Sequence, residues 1–97
     1  MVVVARTRTR DHLLGGRGTL MSRCLEAGLP VASSCSGRGA CGKCLVTVLL
    51  GAECLTPPSI RETATLTRNE ATPGQRLSCQ CRVPAGAMDL LVTTGYW

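Results

Sequence analysis

The sequence predicts an α+β domain. Short runs of β-branched and aliphatic residues around 2–4, 45–50 and 88–94 read as strands. One stretch, about 20 to 27, carries apolar residues at helical spacing. Between helix and second strand run lies a glycine-rich loop, Cys35-Ser-Gly-Arg-Gly-Ala-Cys41-Gly-Lys-Cys44, with three of the chain's seven cysteines.

Met1 to Thr9 opens with Val2-Val3-Val4, and Arg6, Arg8 and Arg10 then alternate with Thr7 and Thr9. That period of two predicts a strand with a solvated arginine face. His12-Leu13-Leu14 reads as a short return strand, and Gly15-Gly16 as the punctuation after it. Thr19 is placed to cap a helix that Gly28 stops. Leu20, Met21, Cys24, Leu25 and Ala27 form its apolar face, where Cys24 packs as a small hydrophobe. Leu45 to Leu50 reads as a strand with Cys44 at its start. Cys54 falls in the loop after Gly51, apart from any motif. Thr56-Pro57-Pro58 opens a short helix with Ser59 to Leu66 as its body, and Thr67 to Gly74 is polar loop ending in a Pro73-Gly74 turn. Arg76 to Val83 reads as a strand, which sets Cys79 and Cys81 on one side if it is regular. Met88 to Thr94 is the last strand. Gly95-Tyr96-Trp97 brings the only aromatic residues, either packed on the body or left exposed for docking.

Ninety-seven residues suit one domain, 1–97, with a modest core. With no Phe, that core is built from Val, Leu, Ala, Met and Cys. No apolar run reaches the length of a membrane span, and the start lacks a signal-peptide pattern, so a cytoplasmic, reducing compartment is expected. There, clustered cysteines are metal ligands more often than disulfides, and an odd count with a C-x2-C pair points the same way. Eleven Lys and Arg against six Asp and Glu give a net charge of +5. The basic residues are scattered without interleaved aromatics, which argues against nucleic acid.

The spacing C-x5-C-x2-C, with glycines at 37, 39 and 42 and a thiol far downstream, matches the needs of an iron–sulfur cluster. Thiolates are soft ligands for iron. Glycines let the backbone wrap closely and turn N–H groups toward sulfur. Residues 35, 41 and 44 supply three thiols; Cys79 and Cys81 compete for the fourth place. Three other patterns overlap the loop. Gly37-Arg-Gly39-Ala-Cys-Gly42 satisfies G-x-G-x-x-G, Gly37 to Cys44 approaches a P-loop, and Cys41-Gly-Lys-Cys44 could be a redox pair. Each requires a helix after the loop, and a strand follows instead. A four-thiolate zinc site, in a zinc-binding or regulatory small protein, is the harder rival. Zinc ribbons, however, show two C-x2-C knuckles, and this chain has one.

Gly18 to Cys35, the loop itself and Arg76-Leu77-Ser78-Cys79-Gln80 together resemble a [2Fe–2S] ferredoxin of the plant-type/adrenodoxin superfamily. The C-x5-C spacing is similar to the adrenodoxin-like branch. The wording Gly-Arg-Gly-Ala-Cys-Gly-Lys-Cys also resembles the ferredoxin module of corrinoid-protein reductive activators. The resemblance implies a β-grasp fold, a mixed sheet with one main helix across it. It implies a [2Fe–2S] cluster on Cys35, Cys41, Cys44 and Cys79, with Cys81 as a core residue. It further implies a one-electron carrier, not an enzyme, that works as a monomer between a reductase and an acceptor enzyme; the alternative is a dedicated redox subunit of one enzyme complex. No nucleic-acid or membrane partner is expected. The basic charge departs from the acidic habit of the family and suggests an acidic docking face on the partner. Arg38 and Lys43 lie in the loop, where positive charge near the cluster would raise its potential.

Overall fold

A computed structural model describes residues 3–15, 18–32, 42–83, 89–95 and 97. The expectations placed on Cys35, Gly37, Arg38, Gly39, Cys41, Gly16, Met88 and Tyr96 lie outside these residues.

Among the described residues, five strands form one mixed sheet. They are β1 (Val3–Arg6), β2 (Asp11–Leu13), β3 (Leu45–Leu50), β4 (Gln75–Leu77) and β5 (Leu90–Thr93), in the order β2-β1-β5-β3-β4. The pair β1–β5 is parallel and the other neighbours are antiparallel. Among the described residues, two helices, α1 (Leu20–Glu26) and α2 (Ile60–Arg68), and a short 3-10 turn at Ala52–Cys54 join the sheet in an α+β fold.

β1 is shorter than its alternating pattern predicts. It stops at Arg6 because Thr7 closes a turn, its N–H bonding the Arg10 carbonyl at 3.0 Å and its hydroxyl the same oxygen at 2.8 Å. Threonine offers the backbone this local alternative to a ladder. Arg8 and Arg10 therefore belong to the turn, and the return strand β2 follows.

α1 begins and ends as its sequence predicts. The Thr19 hydroxyl accepts the Ser22 N–H at 3.2 Å. At the other end Gly28 turns left-handed, φ 84°, and the Leu29 N–H closes onto the Cys24 carbonyl at 3.0 Å. A glycine reaches that φ without a Cβ penalty. Leu20 and Cys24, one turn apart, face the sheet and are fully buried. The α2 helix is capped by Ser59, whose hydroxyl accepts the Glu62 N–H, so Ser59 precedes the helix and the helix runs to Arg68.

Among the described residues, the buried apolar side chains separate into two groups. The larger joins both ends of the fold and includes Val3, Ala5, Leu20, Cys24, Leu29, Cys81, Leu90, Val92 and Trp97. The smaller consists of Cys44, Leu77 and Cys79, lined by Met21, Leu45 and Leu66, with Val31 packed against both groups.

Candidate metal centre

The smaller cluster brings together two of the four expected ligand thiols, and two neighbouring strands build it. β3 and β4 run antiparallel with Leu45 opposite Leu77. Cys44 therefore enters β3 at the edge where β4 ends, and Ser78 leaves β4 opposite it. The Ser78 N–H donates to the Cys44 carbonyl at 3.2 Å, and the Ser78 hydroxyl donates to the same oxygen at 2.7 Å. Leu77 to Gln80 then forms a tight turn, closed by the Gln80 N–H on the Leu77 carbonyl at 3.0 Å.

That turn corrects the strand expected over 76–83. Regular alternation ends at Leu77, so Cys79 and Cys81 do not share a face. Cys79 packs with Cys44 in the smaller cluster, and Cys81 is buried in the main core. The first turn of α1 fixes this arrangement from above. Its Leu20 and Met21 N–H groups, which have no partner within the helix, bond the Cys81 and Ser78 carbonyls, each at 2.9 Å.

Cys44 and Cys79 pack in one buried cluster, close enough for each thiol to feel the other, while Cys35 and Cys41 lie outside the described residues. Cys44 is 1% exposed and Cys79 is 6% exposed. Burial pushes the Cys44 thiol up to about 11, and the Cys79 backbone N–H aimed at its sulfur pulls the other way. The Gln80 amide nitrogen stands 3.5 Å from the Cys79 sulfur. Burial disfavours a bare thiolate, and N–H donors pointed at sulfur suit a thiolate whose remaining charge a metal neutralises. These residues fit an iron–sulfur cluster. Cys24 and Cys81 contrast with them: burial raises each thiol to about 12, and both sit among aliphatic side chains of the main core. Lys43 is exposed beside Cys44. Trp97 is buried and packs on the body.

Sequence reasoning missed the support supplied by α2. Glu62, Leu66 and Asn69 lie three and four positions apart, on one helix face. Glu62 is fully buried and binds Arg76 and the Leu77 N–H, at the strand end that delivers Cys79. Leu66 packs against the two thiols' cluster. Asn69, anchored by its amide to the Thr65 carbonyl at 2.8 Å, covers Gly42 in the C-x2-C knuckle. Gly42 has φ 72°, and a Cβ there would overlap the Asn69 side chain. The available signal was Arg76, a cation next to Leu77 in an expected strand, where burial would call for an acidic partner.

Comparison with known proteins agrees with this geometry. The model of the 2Fe-2S iron-sulfur cluster binding domain matches residues 14–84. A subunit of the Na(+)-translocating NADH-quinone reductase of Pasteurella multocida is 39% identical over 72 residues, 74% of this chain and 17% of that protein. The chain thus spans about one-sixth of the length of that curated relative. Among solved structures, the ISC-like [2Fe-2S] ferredoxin FdxB of Pseudomonas putida JCM 20004 superposes with a TM-score of 0.84 at 18% identity, over 99% of this chain and 93% of that one. A chain of the covalent putidaredoxin reductase–putidaredoxin complex gives 0.76 at 22% identity, over 96% of each. The sheet order and helix placement are those of the ferredoxin β-grasp fold. Paired thiols at the β3–β4 edge, the matched span and the identity to the quinone reductase subunit lead to one conclusion: this chain belongs to the 2Fe-2S iron–sulfur cluster binding domain family, and its cofactor is a [2Fe–2S] cluster.

Proposed function

We propose that the chain is a one-electron carrier and not an enzyme in its own right, with Cys35, Cys41, Cys44 and Cys79 as its four ligands. A bound [2Fe–2S] cluster supplies one reversibly held electron. The protein's own residues hold it and shield it. Cys44 and Cys79 present sulfur from two hydrogen-bonded strand ends, so their separation changes little with charge state. The Cys79 N–H and the Gln80 amide offset negative charge on sulfur. Met21, Val31, Leu45 and Leu66 exclude water from the two thiols. The observation that carries the reading is the contact of Cys44 with Cys79, with Cys81 and Cys24 turned into a separate core.

The partners are redox proteins, a reductase and an acceptor enzyme. The likeness to a chain from a reductase complex supports this. A net charge of +5 with a cluster of about −2 leaves the loaded chain near +3, which favours an acidic docking face on the partner. No helix among the described residues is long and apolar enough to cross a membrane. We place the chain in the cytoplasm as a single domain over 1–97, monomeric, without nucleic-acid or membrane contacts. A second reading, a redox module dedicated to one enzyme complex, is favoured by the identity to a subunit of a larger reductase. Co-purification of one partner in fixed ratio selects the second reading.

Oxygen-free purification with iron, zinc and sulfide analysis tests the proposal, together with EPR after dithionite. Two irons and two sulfides per chain and one unpaired electron on reduction are expected. A folded, colourless chain that holds zinc without sulfide refutes it.

A further inference from the structure

We propose that Trp97 is a positioning residue for the cluster site, acting through Pro30 and Val31. This rests on the reading of Cys44 and Cys79 as ligands.

Trp97 is 9% exposed and lies in the main core with Leu29. Its indole N–H donates to the Pro30 carbonyl at 2.8 Å, across 67 positions of sequence. A buried indole N–H requires such an acceptor. Proline has no N–H, so the backbone at residue 30 is held through its carbonyl. The next residue, Val31, is the side chain that touches both apolar groups, the main core on one side and the Cys44, Leu77 and Cys79 group on the other. Leu29 is fixed already by its N–H on Cys24. The segment 29–31 is thus pinned at Leu29 by the end of α1 and at Pro30 by Trp97, and it sets Val31 against the paired thiols. The aromatic ring supplies core area; the N–H supplies direction, and the two are separable by substitution.

The test uses the loaded chain and the rate at which visible absorbance is lost to excess iron chelator. Trp97→Phe keeps most of the ring and deletes the donor. Val3→Ala is the control: Val3 is a buried core residue paired with Leu90. That register places it at the end of the sheet remote from Cys44. Trp97→Phe is expected to release the cluster roughly two- to tenfold faster, the range of one lost hydrogen bond. Val3→Ala is expected to lower the urea midpoint and leave the release rate unchanged. Val31→Ala, which leaves Trp97 in place, is expected to speed release as well. The double variant is expected to add little beyond the larger single effect, as residues acting in one chain of contacts do. A wild-type release rate in Trp97→Phe overturns the proposal. So does a rate that Val3→Ala matches at equal loss of stability, or full additivity with Val31→Ala. A wild-type chain that takes up no iron and sulfide overturns the ligand reading as well, so the two failures are told apart.

Discussion

Glu62 and Arg76 form a buried two-point ion pair behind the cysteine turn. Arg76 Nε lies 2.7 Å from Glu62 Oε2 and its Nη2 lies 2.9 Å from Oε1. The Arg76 side chain is 12% exposed and that of Glu62 is fully buried. The Glu62 carboxylate holds the Arg76 guanidinium pKa above its ordinary value. The same carboxylate accepts the Leu77 N–H at 3.1 Å, and Arg76 also donates to the Thr56 carbonyl at 2.8 Å. One side chain of α2 thereby ties down the strand end that carries Ser78 and Cys79.

Removing one partner leaves the other charge buried and unpaired, at a cost of about 3–5 kcal/mol. Glu62→Ala is expected to lower the unfolding free energy by that amount in urea titrations. The double variant Glu62→Leu with Arg76→Met replaces the pair by apolar volume and is expected to recover much of the loss. A Glu62→Ala cost below about 1 kcal/mol, the level of an exposed pair, would show that the ion pair supports nothing.

Gly42 makes a second prediction. Its φ of 72° disfavours any side chain, and a Cβ there would overlap the Asn69 amide unless Asn69 shifts off its Thr65 anchor. Gly42→Ala is expected to destabilise the chain and reduce iron uptake. Adding Asn69→Gly relieves the overlap and leaves the left-handed backbone penalty, about 1–2 kcal/mol. Partial rescue of both midpoint and iron content is the expected outcome; no rescue would show that the Asn69 contact is unimportant.

The helix caps and most of the sheet were legible because they rest on local chemistry. Thr19, Gly28 and the Val-Thr-Val run of β3 each state their conformation within a few residues. The errors arose where a local hydrogen bond or a distant partner overrides the period. Thr7 closes a turn and cuts β1 short. The Gln80 N–H bonds the Leu77 carbonyl and ends β4 two residues before Cys79. Periodicity could not separate Cys79 from Cys81, because their different surroundings come from that turn and from the two α1 N–H groups above it. The supports of the site, Glu62, Asn69 and Ser78, are ordinary polar residues in the chain. They acquire meaning when α2 is laid across β4 and the loop.

The ligand assignment predicts a sharp division among the seven cysteines. Cys→Ser at 35, 41, 44 or 79 is expected to abolish or strongly alter the visible spectrum. The same change at 24, 54 or 81 is expected to leave it largely intact. Cys24→Ser and Cys81→Ser should still lower stability by about 1–3 kcal/mol, since each puts a hydroxyl into an aliphatic core. Loss of the spectrum in Cys81→Ser with its retention in Cys79→Ser would reverse the fourth ligand.

Cys24 gives a pH dependence that is independent of the site. Burial pushes its thiol from about 9 up to about 12. The unfolded chain sheds this proton near pH 9, while the folded chain keeps it until about pH 12. Across that window the folded state binds more protons, so stability is complete below about 9 and falls as pH rises. The limiting slope is about 1.4 kcal/mol per pH unit. Cys24→Ala removes this titration, and the packing it also loses does not vary with pH. In urea titrations at about pH 8 and about pH 10, the wild type is expected to lose about 1.4 kcal/mol more than Cys24→Ala. Equal losses in the two proteins would show that the Cys24 thiol ionises in the folded chain as readily as in the unfolded one, contrary to its burial in the main core.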